Sequence, residues 1–307
     1  MNMAMHSKPV PAHRAATLGI VLPAKNEAAA LPELLDRLRA IYPKTEILLI
    51  DDGSNDATAR LARAHGARII THPYSMGNGA AIKAGARAVN GEIIVSLDAD
   101  GQHRPEDIEK LLAKLDEGYD MVVGARDNAS QASVGRSLAN RFYNALASLL
   151  VGHRIADLTS GFRAVRAAKF REFLYLLPNG FSYPTTITMA FFRAGYSVAY
   201  VPIETGQRNG HGSHIRPLRD GARFLLIILK VATLYSPLKL FAPASVLFFL
   251  LGLGNYGYTY AVEGRFTNMS ALLFSASVIV FLIGLLSEQI TALMYKDGRY
   301  SDSRESH

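Results

Sequence analysis

Two aspartates one residue apart follow an apolar run in the segment VSLDADGQH, Val95–His103. Asp98 and Asp100 are at i and i+2, so in an extended segment their carboxylates lie on the same side of the backbone. Two such charges repel each other, and burying either one alone is unfavourable, unless they are solvated or share a cation. Carboxylate oxygens suit Mg²⁺ or Mn²⁺, which would bridge to a diphosphate and neutralise it as it leaves. The pattern therefore predicts a divalent metal site, with a solvated aspartate turn as the alternative.

A glycine-rich segment, GNGAAIKAG over Gly77–Gly85, is a second candidate for ligand binding. It is not a dinucleotide fingerprint, because Ile82 stands where the third glycine is required, and the sequence contains no P-loop. Gly77 and Gly79 are instead expected to let the backbone pass close to a ligand at a helix N-terminus.

Apolar runs on both sides of these motifs indicate the elements that position them. The runs are continuously apolar, as in parallel strands covered on both faces. Five of them are predicted to be strands: Thr17–Ala24, Glu46–Asp51, Arg68–His72, Glu92–Asp98 and Asp120–Arg126. Amphipathic stretches separate them, and this alternation predicts a doubly wound α/β domain with ligands outside the carboxyl ends of the strands. Asp98 lies at such an end.

Helix-start signals lie between these runs. The first helix is predicted from an apolar stripe formed by Leu31, Leu34, Leu35, Leu38 and Ile41. We expect Asn26 to cap this helix and Ser54 to cap the next one. Pro105, which two acidic residues follow, predicts the start of a further helix.

Composition narrows the classes of function. The 307 residues are 49% apolar, enough for one large core or for one domain with a membrane segment. Without cysteine, disulfides, thiolate zinc sites and a cysteine nucleophile are excluded. The net charge of +7 indicates anionic partners such as nucleotides, phosphates or acidic lipids. Nucleic acid is not expected as a partner, because the basic residues are scattered.

The composition changes near residue 220. Leu238–Tyr260 and Met269–Tyr295 each contain a charge-poor apolar run of about 17–18 residues, near the lower limit for a membrane span. Two buried core helices are the alternative. Tyr256, Tyr258 and Tyr260 favour the membrane, because they cluster at one end of the first run as an interfacial aromatic belt would.

Basic residues are concentrated on the outer flanks of the two runs. They are Arg216, Arg219, Arg223, Lys230 and Lys239 before the runs, and Lys296, Arg299 and Arg304 after them. The connecting loop holds only Glu263 and Arg265, so the positive-inside rule predicts a hairpin with both termini in the cytoplasm. Residues 219–237 mix apolar and basic residues and are predicted to lie in the membrane interface. Residues 238–295 would form the two transmembrane helices, between a flexible tail at 1–16 and a polar tail at 296–307.

Six motifs together resemble family 2 glycosyltransferases, most of all the branch of dolichol-phosphate mannose synthase and polyprenyl-phosphate glycosyltransferases. In chain order they are LPAKNE, IDDGSNDAT, GNGAAIKAG, LDADGQHRPEDI, DLTSGFRA and QRNGHGSH. The resemblance covers roughly Thr17–His214, and the hairpin resembles that of bacterial membrane-anchored members. It implies a GT-A-type, Rossmann-like catalytic domain over residues 17–218, with a mixed, mostly parallel sheet. Ala57 and His214 depart from the pattern, since glycine and lysine are usual there.

The resemblance also implies roles for residues of a donor site. It adds Gln102 as a third ligand of a Mg²⁺ or Mn²⁺ ion held by Asp98 and Asp100. It places five residues in a nucleoside pocket: Pro23, Lys25, Glu27, Asp51 and Asp52. A carboxylate there can accept a hydrogen bond from a base N–H or a ribose hydroxyl. Glu27 by itself would equally fit an acid favoured by the dipole at a helix N-terminus.

The implied acceptor is a lipid phosphate. Its second pKa is near ~6, so it is largely ionised at pH 7 and needs positioning rather than a general base. Arg126, at a strand end, and Arg141, on the following helix, are expected to hold it, although each also fits a solvated surface charge. Arg208 and Ser213, with His214, lie in a glycine-rich segment predicted to close over phosphates. The alternative for that segment is a juxtamembrane contact with acidic lipids.

Together these features predict an inverting, metal-dependent glycosyltransferase that moves a hexose-type sugar from GDP-mannose or a UDP-sugar to undecaprenyl or dolichyl phosphate. A processive polysaccharide synthase is an alternative, but its Q-x-x-R-W motif requires a tryptophan and the chain has none. A sugar-1-phosphate nucleotidyltransferase would have no reason for a membrane hairpin, and a non-catalytic membrane scaffold would not need these motifs together. A homo-oligomer is left open.

Overall fold

The computed structural model of the chain describes residues 17–126, 134–180, 182–204, 233 and 235–297. These residues form two compact units. The first consists of residues 17–204 apart from 149–152, and it contains the sheet. The second contains residues 235–297.

A seven-stranded mixed sheet is the centre of the first unit, within the described residues. Its strands are β1 (Leu18–Ala24), β2 (Glu46–Asp51), β3 (Arg68–Thr71), β4 (Ile93–Ser96), β5 (Met121–Arg126), β6 (Arg163–Arg166) and β7 (Val198–Ile203). Their spatial order is β3-β2-β1-β4-β6-β5-β7. Only β6 pairs antiparallel with its neighbours, and the other pairs are parallel. The predicted mixed, mostly parallel sheet is confirmed.

The five predicted strands are all present, with ends that differ by at most two residues. Every residue of β1 and β4 is buried, which explains why their sequences are continuously apolar. Two strands, β6 and β7, were not predicted. The sequence of β6 is RAVR, four residues with arginine at both ends, and its place between β4 and β5 comes from pairing with both of them.

Helices cover the faces of this sheet. Along the chain they are α1 (Leu31–Ile41), α2 (Thr58–Ala64), α3 (Asn78–Ala88), α4 (Ile108–Asp116), α5 (Val134–Val151), α6 (Ala167–Arg171) and α7 (Tyr183–Arg193). Helix α1 buries the predicted leucine stripe, while Ile41 is only partly buried. A short 3₁₀ turn, Pro105–Asp107, leads directly into α4, so the predicted helix start at Pro105 is confirmed.

The two predicted helix caps are wrong. Helix α1 begins at Leu31 and α2 at Thr58, and neither has a side-chain cap. Asn26, in the loop after β1, and Ser54, in the loop after β2, instead take part in hydrogen bonds that join these two loops. The Asn26 N–H donates to Ser54 Oγ at 2.9 Å, and the Asn55 N–H donates to Asn26 Oδ1 at 2.8 Å. Asn26 adopts the left-handed conformation with φ of 57°, which asparagine tolerates better than most residues. These polar side chains therefore join the loops after β1 and β2.

The second unit is an antiparallel pair of long helices, α8 (Pro237–Glu263) and α9 (Asn268–Asp297). Both are long and apolar enough to cross a membrane, and only 17% of the residues in their most apolar windows are buried inside the protein. Between the helices, the hydroxyls of Ser245 and Ser277 each donate to the other's carbonyl oxygen at 2.9 Å. Polar pairs of this kind are typical of helix interfaces in lipid. The predicted hairpin of two apolar helices is confirmed.

Candidate active site

A cavity of about 460 Å³ opens where the carboxyl ends of β1, β2 and β4 meet. Because β6 runs antiparallel, its amino end reaches the same edge. Sixteen residues line the cavity: Pro23, Ala24, Lys25, Glu27, Asp52, Ser75, Gly77, Asn78, Ala81, Asp98, Ala99, Asp100, Thr159, Gly161, Tyr183 and Pro184. Most of the predicted donor-site residues therefore lie around one cavity.

Asp98 lies in the middle of this edge, two residues after β4 ends. Its Oδ2 is 3.8 Å from Nε2 of His103, whose buried ring packs on Phe162 with 5.0 Å between the ring centroids. Burial raises the pKa of Asp98, but the interactions with His103, then with Asn78 and Arg126, outweigh it, so its pKa lies below the ordinary value. Asp98 is therefore held as a carboxylate.

Asp100 and Gln102 follow in the same loop. Asp100 lines the cavity, and its Oδ1 accepts the Gln102 N–H at 3.1 Å, whereas the Gln102 side chain is not part of the lining. In the described part of the chain no cluster of three or more His, Asp or Glu residues could hold a metal ion. A site with two carboxylates suits a hard cation such as Mg²⁺, which keeps waters and binds substrate phosphates as its other ligands. The donor set therefore fits a divalent ion that is held jointly with a diphosphate.

The predicted nucleoside residues lie at the ends of β1 and β2. Pro23, Lys25, Glu27 and Asp52 line the cavity, and Asp51 does not. Asp51 is buried, and its Oδ1 accepts the Ser54 N–H at 3.0 Å, so the contact it makes here is within its own turn.

Asp52 organises the loop that closes this side of the cavity. Its carboxylate contacts Nδ1 of His72 at 2.8 Å and accepts hydrogen bonds from Ser75 Oγ, the Met76 N–H and the Gly77 N–H at 2.8–2.9 Å. Burial raises the pKa of Asp52, but the bonds from His72, Met76, Ser75 and Gly77 outweigh it, and the pKa is lowered. Asp52 thus both lines the cavity and fixes the start of α3.

Glycines in the segment Gly77–Gly85 are required by the protein's own packing. A Cβ on Gly79 would lie 2.0 Å from the Pro178 carbonyl oxygen, and one on Gly77, at φ of +101°, would lie 2.4 Å from that of Asn179. Gly79 is not among the lining residues, whereas Gly77 is. The backbone that passes close to Gly79 is therefore segment 178–180.

Arg126 ends β5 and is held by a carboxylate that the sequence did not single out. Its Nε and Nη2 donate to the two oxygens of Asp157 at 2.8 and 3.0 Å, and Nη2 also donates to Thr159 Oγ1 at 2.6 Å. Burial lowers the pKa of Arg126, but the hydrogen bond and charge of Asp157 outweigh this effect. The pKa is therefore raised, and the guanidinium stays charged. Among the hydrogen bonds between described residues, those of the Arg126 side chain use Nε and Nη2 and none uses Nη1.

Of the predicted acceptor residues that the structure describes, neither Arg126 nor Arg141 is among the residues that line the cavity. Arg141 is exposed on α5 and is not among the lining residues. Arg208, Ser213 and His214 lie outside the described residues, as does the predicted interfacial segment up to residue 232.

Sequence reasoning missed Thr159, Gly161 and Tyr183, which line the cavity. Thr159 and Gly161 belong to the motif DLTSGFRA, so a signal was present, but only the antiparallel course of β6 brings them to the edge.

The chain belongs to the family 2 glycosyltransferases. Residues 19–174 match the family described as Glycosyl transferase family 2, and residues 236–293 match the GtrB C-terminal hairpin. An undecaprenyl-phosphate 4-deoxy-4-formamido-L-arabinose transferase of Klebsiella pneumoniae is 31% identical over 92% of this chain and 90% of the relative. A Salmonella paratyphi A protein of the same name is 39% identical over 48% of each chain.

Solved structures agree on the fold. Glucosyl-3-phosphoglycerate synthase from Mycobacterium tuberculosis, in complex with Mn²⁺, UDP and glucosyl-3-phosphoglycerate, superimposes with a TM-score of 0.56 at 24% identity, covering 71% of this chain and 80% of that one. The same enzyme with Mg²⁺ and UDP gives the same TM-score. This likeness confirms the GT-A-type architecture of the first unit.

Proposed function

We propose that this protein transfers a sugar from a nucleotide-sugar to a polyprenyl phosphate at the cytoplasmic face of the membrane, with inversion at the anomeric carbon. One combination carries the proposal: Asp98 and Asp100 line a cavity at the sheet edge, in a chain that also ends in an apolar helical hairpin. A soluble nucleotide-sugar needs the cavity, and a lipid acceptor needs the hairpin. Relatives named as undecaprenyl-phosphate transferases support this acceptor.

Asp98, Asp100 and Gln102 would hold a Mg²⁺ or Mn²⁺ ion. When bound, such an ion neutralises the charge that develops on the leaving diphosphate. His103 and Asn78 keep Asp98 ionised for this task, and Glu27 and Lys25 line the side where the nucleoside would lie. Solved neighbours with Mn²⁺ or Mg²⁺ support the choice of ion.

An oxygen of the acceptor phosphate attacks the anomeric carbon as the bond to the diphosphate breaks. The phosphate is already largely ionised at pH 7, with a pKa near ~6, so no general base has to remove a proton. Arg126 would offer Nη1 to the phosphate while Asp157 fixes its plane. Arg208 and Ser213 are proposed to close over the phosphates from the segment before the hairpin.

The test is transfer by the purified full-length chain to undecaprenyl phosphate from several donors. They are GDP-mannose, UDP-glucose and a nucleotide-activated 4-deoxy-4-formamido-L-arabinose, the sugar named for the relatives. We expect transfer from one donor, complete loss in EDTA and recovery with Mn²⁺. Asp100→Asn should lower kcat by at least about 100-fold, because it removes a charge from the metal site and leaves the shape.

Asp116→Asn, an exposed position at the end of α4, is the matched control and should retain full activity. Full turnover in EDTA would contradict the metal requirement. Transfer to 3-phosphoglycerate in place of the lipid would contradict the acceptor.

A further inference from the structure

Arg163, the first residue of β6, is a fully buried cation that the mechanism above does not use. Among the described residues no carboxylate lies within ion-pair distance of its guanidinium. A buried charge without a charged partner is unfavourable unless hydrogen bonds compensate for its lost hydration. The contacts of this guanidinium therefore indicate the role of the Arg163 side chain.

Its hydrogen bonds to oxygen join two segments of the chain, and Nη1 also contacts Met121 Sδ on β5 at 3.7 Å. Nη2 donates to the Ser160 carbonyl oxygen, and Nη1 donates to the Pro184 carbonyl oxygen at 3.3 Å and to Thr188 Oγ1 at 3.4 Å. The guanidinium also lies over the Tyr183 ring, 5.9 Å from its centroid. One side chain thus ties the residues just before β6 to the first two turns of α7.

Both of these segments form a wall of the cavity. Thr159 and Gly161 come from the first, and Tyr183 and Pro184 come from the second. In the sheet order, β6 follows β4 on the side away from β1 and β2. The part of the wall that precedes β6, Thr159 and Gly161, is therefore separated by the loop after β4 from the residues proposed for the nucleoside, and Thr159 Oγ1 accepts a hydrogen bond from Arg126.

The backbone of Gly161 is held tightly beside Asp98. Ser96 Oγ donates to the Gly161 carbonyl oxygen at 2.8 Å, while Arg163 holds the preceding carbonyl, that of Ser160. A trans peptide directs its C=O and N–H oppositely, so the Gly161 N–H points away from the guanidinium. A Cβ on Gly161 would lie 3.4 Å from both carboxylate oxygens of Asp98 and 3.2 Å from the Tyr183 hydroxyl.

We propose that Arg163 is a positioning residue that fixes the acceptor wall of the active site, namely Thr159, Gly161, Tyr183 and Pro184, against Asp98. It touches neither substrate, and it acts through the Ser160–Gly161 peptide and the start of α7. This inference rests on the proposed function, because it assigns that wall to the phosphate acceptor. The proposal predicts that Arg163 variants lose acceptor binding and keep donor binding. A purely structural role for Arg163 would weaken both.

The experiment compares Arg163→Met and Arg163→Lys with Leu38→Ala, a buried position on α1 outside the cavity lining. For Arg163→Met we expect kcat/KM for undecaprenyl phosphate to fall at least about tenfold, since misplacement by ~1 Å can cost about 100-fold. GDP and UDP, titrated calorimetrically with Mn²⁺, should bind within about twofold of wild type. Arg163→Lys, which keeps the charge without the planar fork, should fall between the two.

Leu38→Ala should lower the melting temperature but leave acceptor kinetics unchanged, and it sets the baseline for loss of stability. If Arg163→Met does not fold, Arg163→Lys and Thr188→Val carry the test, because Thr188→Val removes one acceptor of the guanidinium at nearly constant volume. Wild-type acceptor kinetics in these variants, or equal losses of nucleotide and acceptor binding, would overturn the inference. A wild-type chain that transfers nothing to polyprenyl phosphate would overturn the proposed function and, with it, the assignment of the wall.

Discussion

At the scale of single residues, Asp157 organises the side of the site that we propose for the acceptor. Its carboxylate accepts hydrogen bonds from Nε and Nη2 of Arg126. It also accepts hydrogen bonds from the backbone N–H groups of Thr159 and Ser160, both at 3.1 Å. Burial raises the pKa of Asp157, but the bonds and charge of Arg126, then the Thr159 N–H, outweigh it, so the pKa is lowered. The ionised form is therefore the one that stabilises the fold.

Replacing Asp157 with Asn should destabilise the first unit in a pH-dependent way. A group with a lowered folded pKa contributes stability above its unfolded pKa, about 3.9 for aspartate, and loses it as the pH falls through the folded value. At pH 7 we expect Asp157→Asn to lower the free energy of unfolding by about 1–3 kcal/mol. The difference from wild type should shrink below about pH 4. Thermal unfolding of both proteins across this range measures it, and a difference independent of pH would contradict the ion pair.

At the scale of elements, α3 and the segment 178–180 depend on each other. The Ala80 N–H donates to the Asn179 carbonyl at 3.1 Å, and Lys83 Nζ donates to the Leu177 carbonyl at 3.0 Å and also to Asn179 Oδ1. The close approach at Gly79 lets these bonds form. Helix α3 begins at the cavity, so its contact with this segment helps to fix the cavity wall that contains Gly77 and Asn78.

Gly79→Ala should separate the helix from this segment. The added methyl would meet the Pro178 carbonyl at 2.0 Å, and backbone must move to relieve it. We expect a loss of about 2–4 kcal/mol, well above the gain of up to ~1 kcal/mol in helix propensity. Gly180→Ala is the matched control, since a Cβ there meets nothing within 4 Å. Equal melting temperatures for the two variants would show that the contact is not tight.

At the scale of the whole molecule, the chain combines a catalytic unit with a hairpin whose outer surface is apolar. Polar contacts are kept between the hairpin's own helices, as in the Ser245–Ser277 pair and in Asn255, whose Nδ2 donates to Ser270 Oγ at 2.9 Å. Small residues allow close approach, as at Gly284, where a Cβ would lie 2.7 Å from Cβ of Phe241. This distribution, polar inside and apolar outside, suits a hairpin surrounded by lipid.

The hairpin should place the loop between α8 and α9 on the side of the membrane opposite both termini. Because the natural chain has no cysteine, a single introduced cysteine reports its own position. In oriented vesicles, Asn268→Cys should react with an impermeant maleimide from one side and Ser303→Cys from the other. Ala113→Cys, exposed on α4, should behave like Ser303→Cys and serves as the control. Labelling of Asn268→Cys and Ser303→Cys from the same side would rule out the hairpin topology.

Local patterns in the sequence determined the parts of this protein that depend on nearby residues. Continuous apolar runs predicted β1 to β5, because buried parallel strands need apolar side chains on both faces. Two long apolar runs predicted the hairpin, and DAD at a strand end predicted the carboxylates that line the cavity.

Tertiary structure decided what joins residues far apart in the sequence. Asn26 and Ser54 carry the signature of helix caps but bind each other's loops, because the ends of β1 and β2 bring them together. Arg126 finds Asp157 across 31 residues, and Gly79 is required by Pro178. Strand β6 is too short and too polar to be predicted alone. Its antiparallel pairing carries Thr159 and Gly161 to the site and buries Arg163 beneath it, because pairing energy comes from neighbouring strands and not from the four residues themselves.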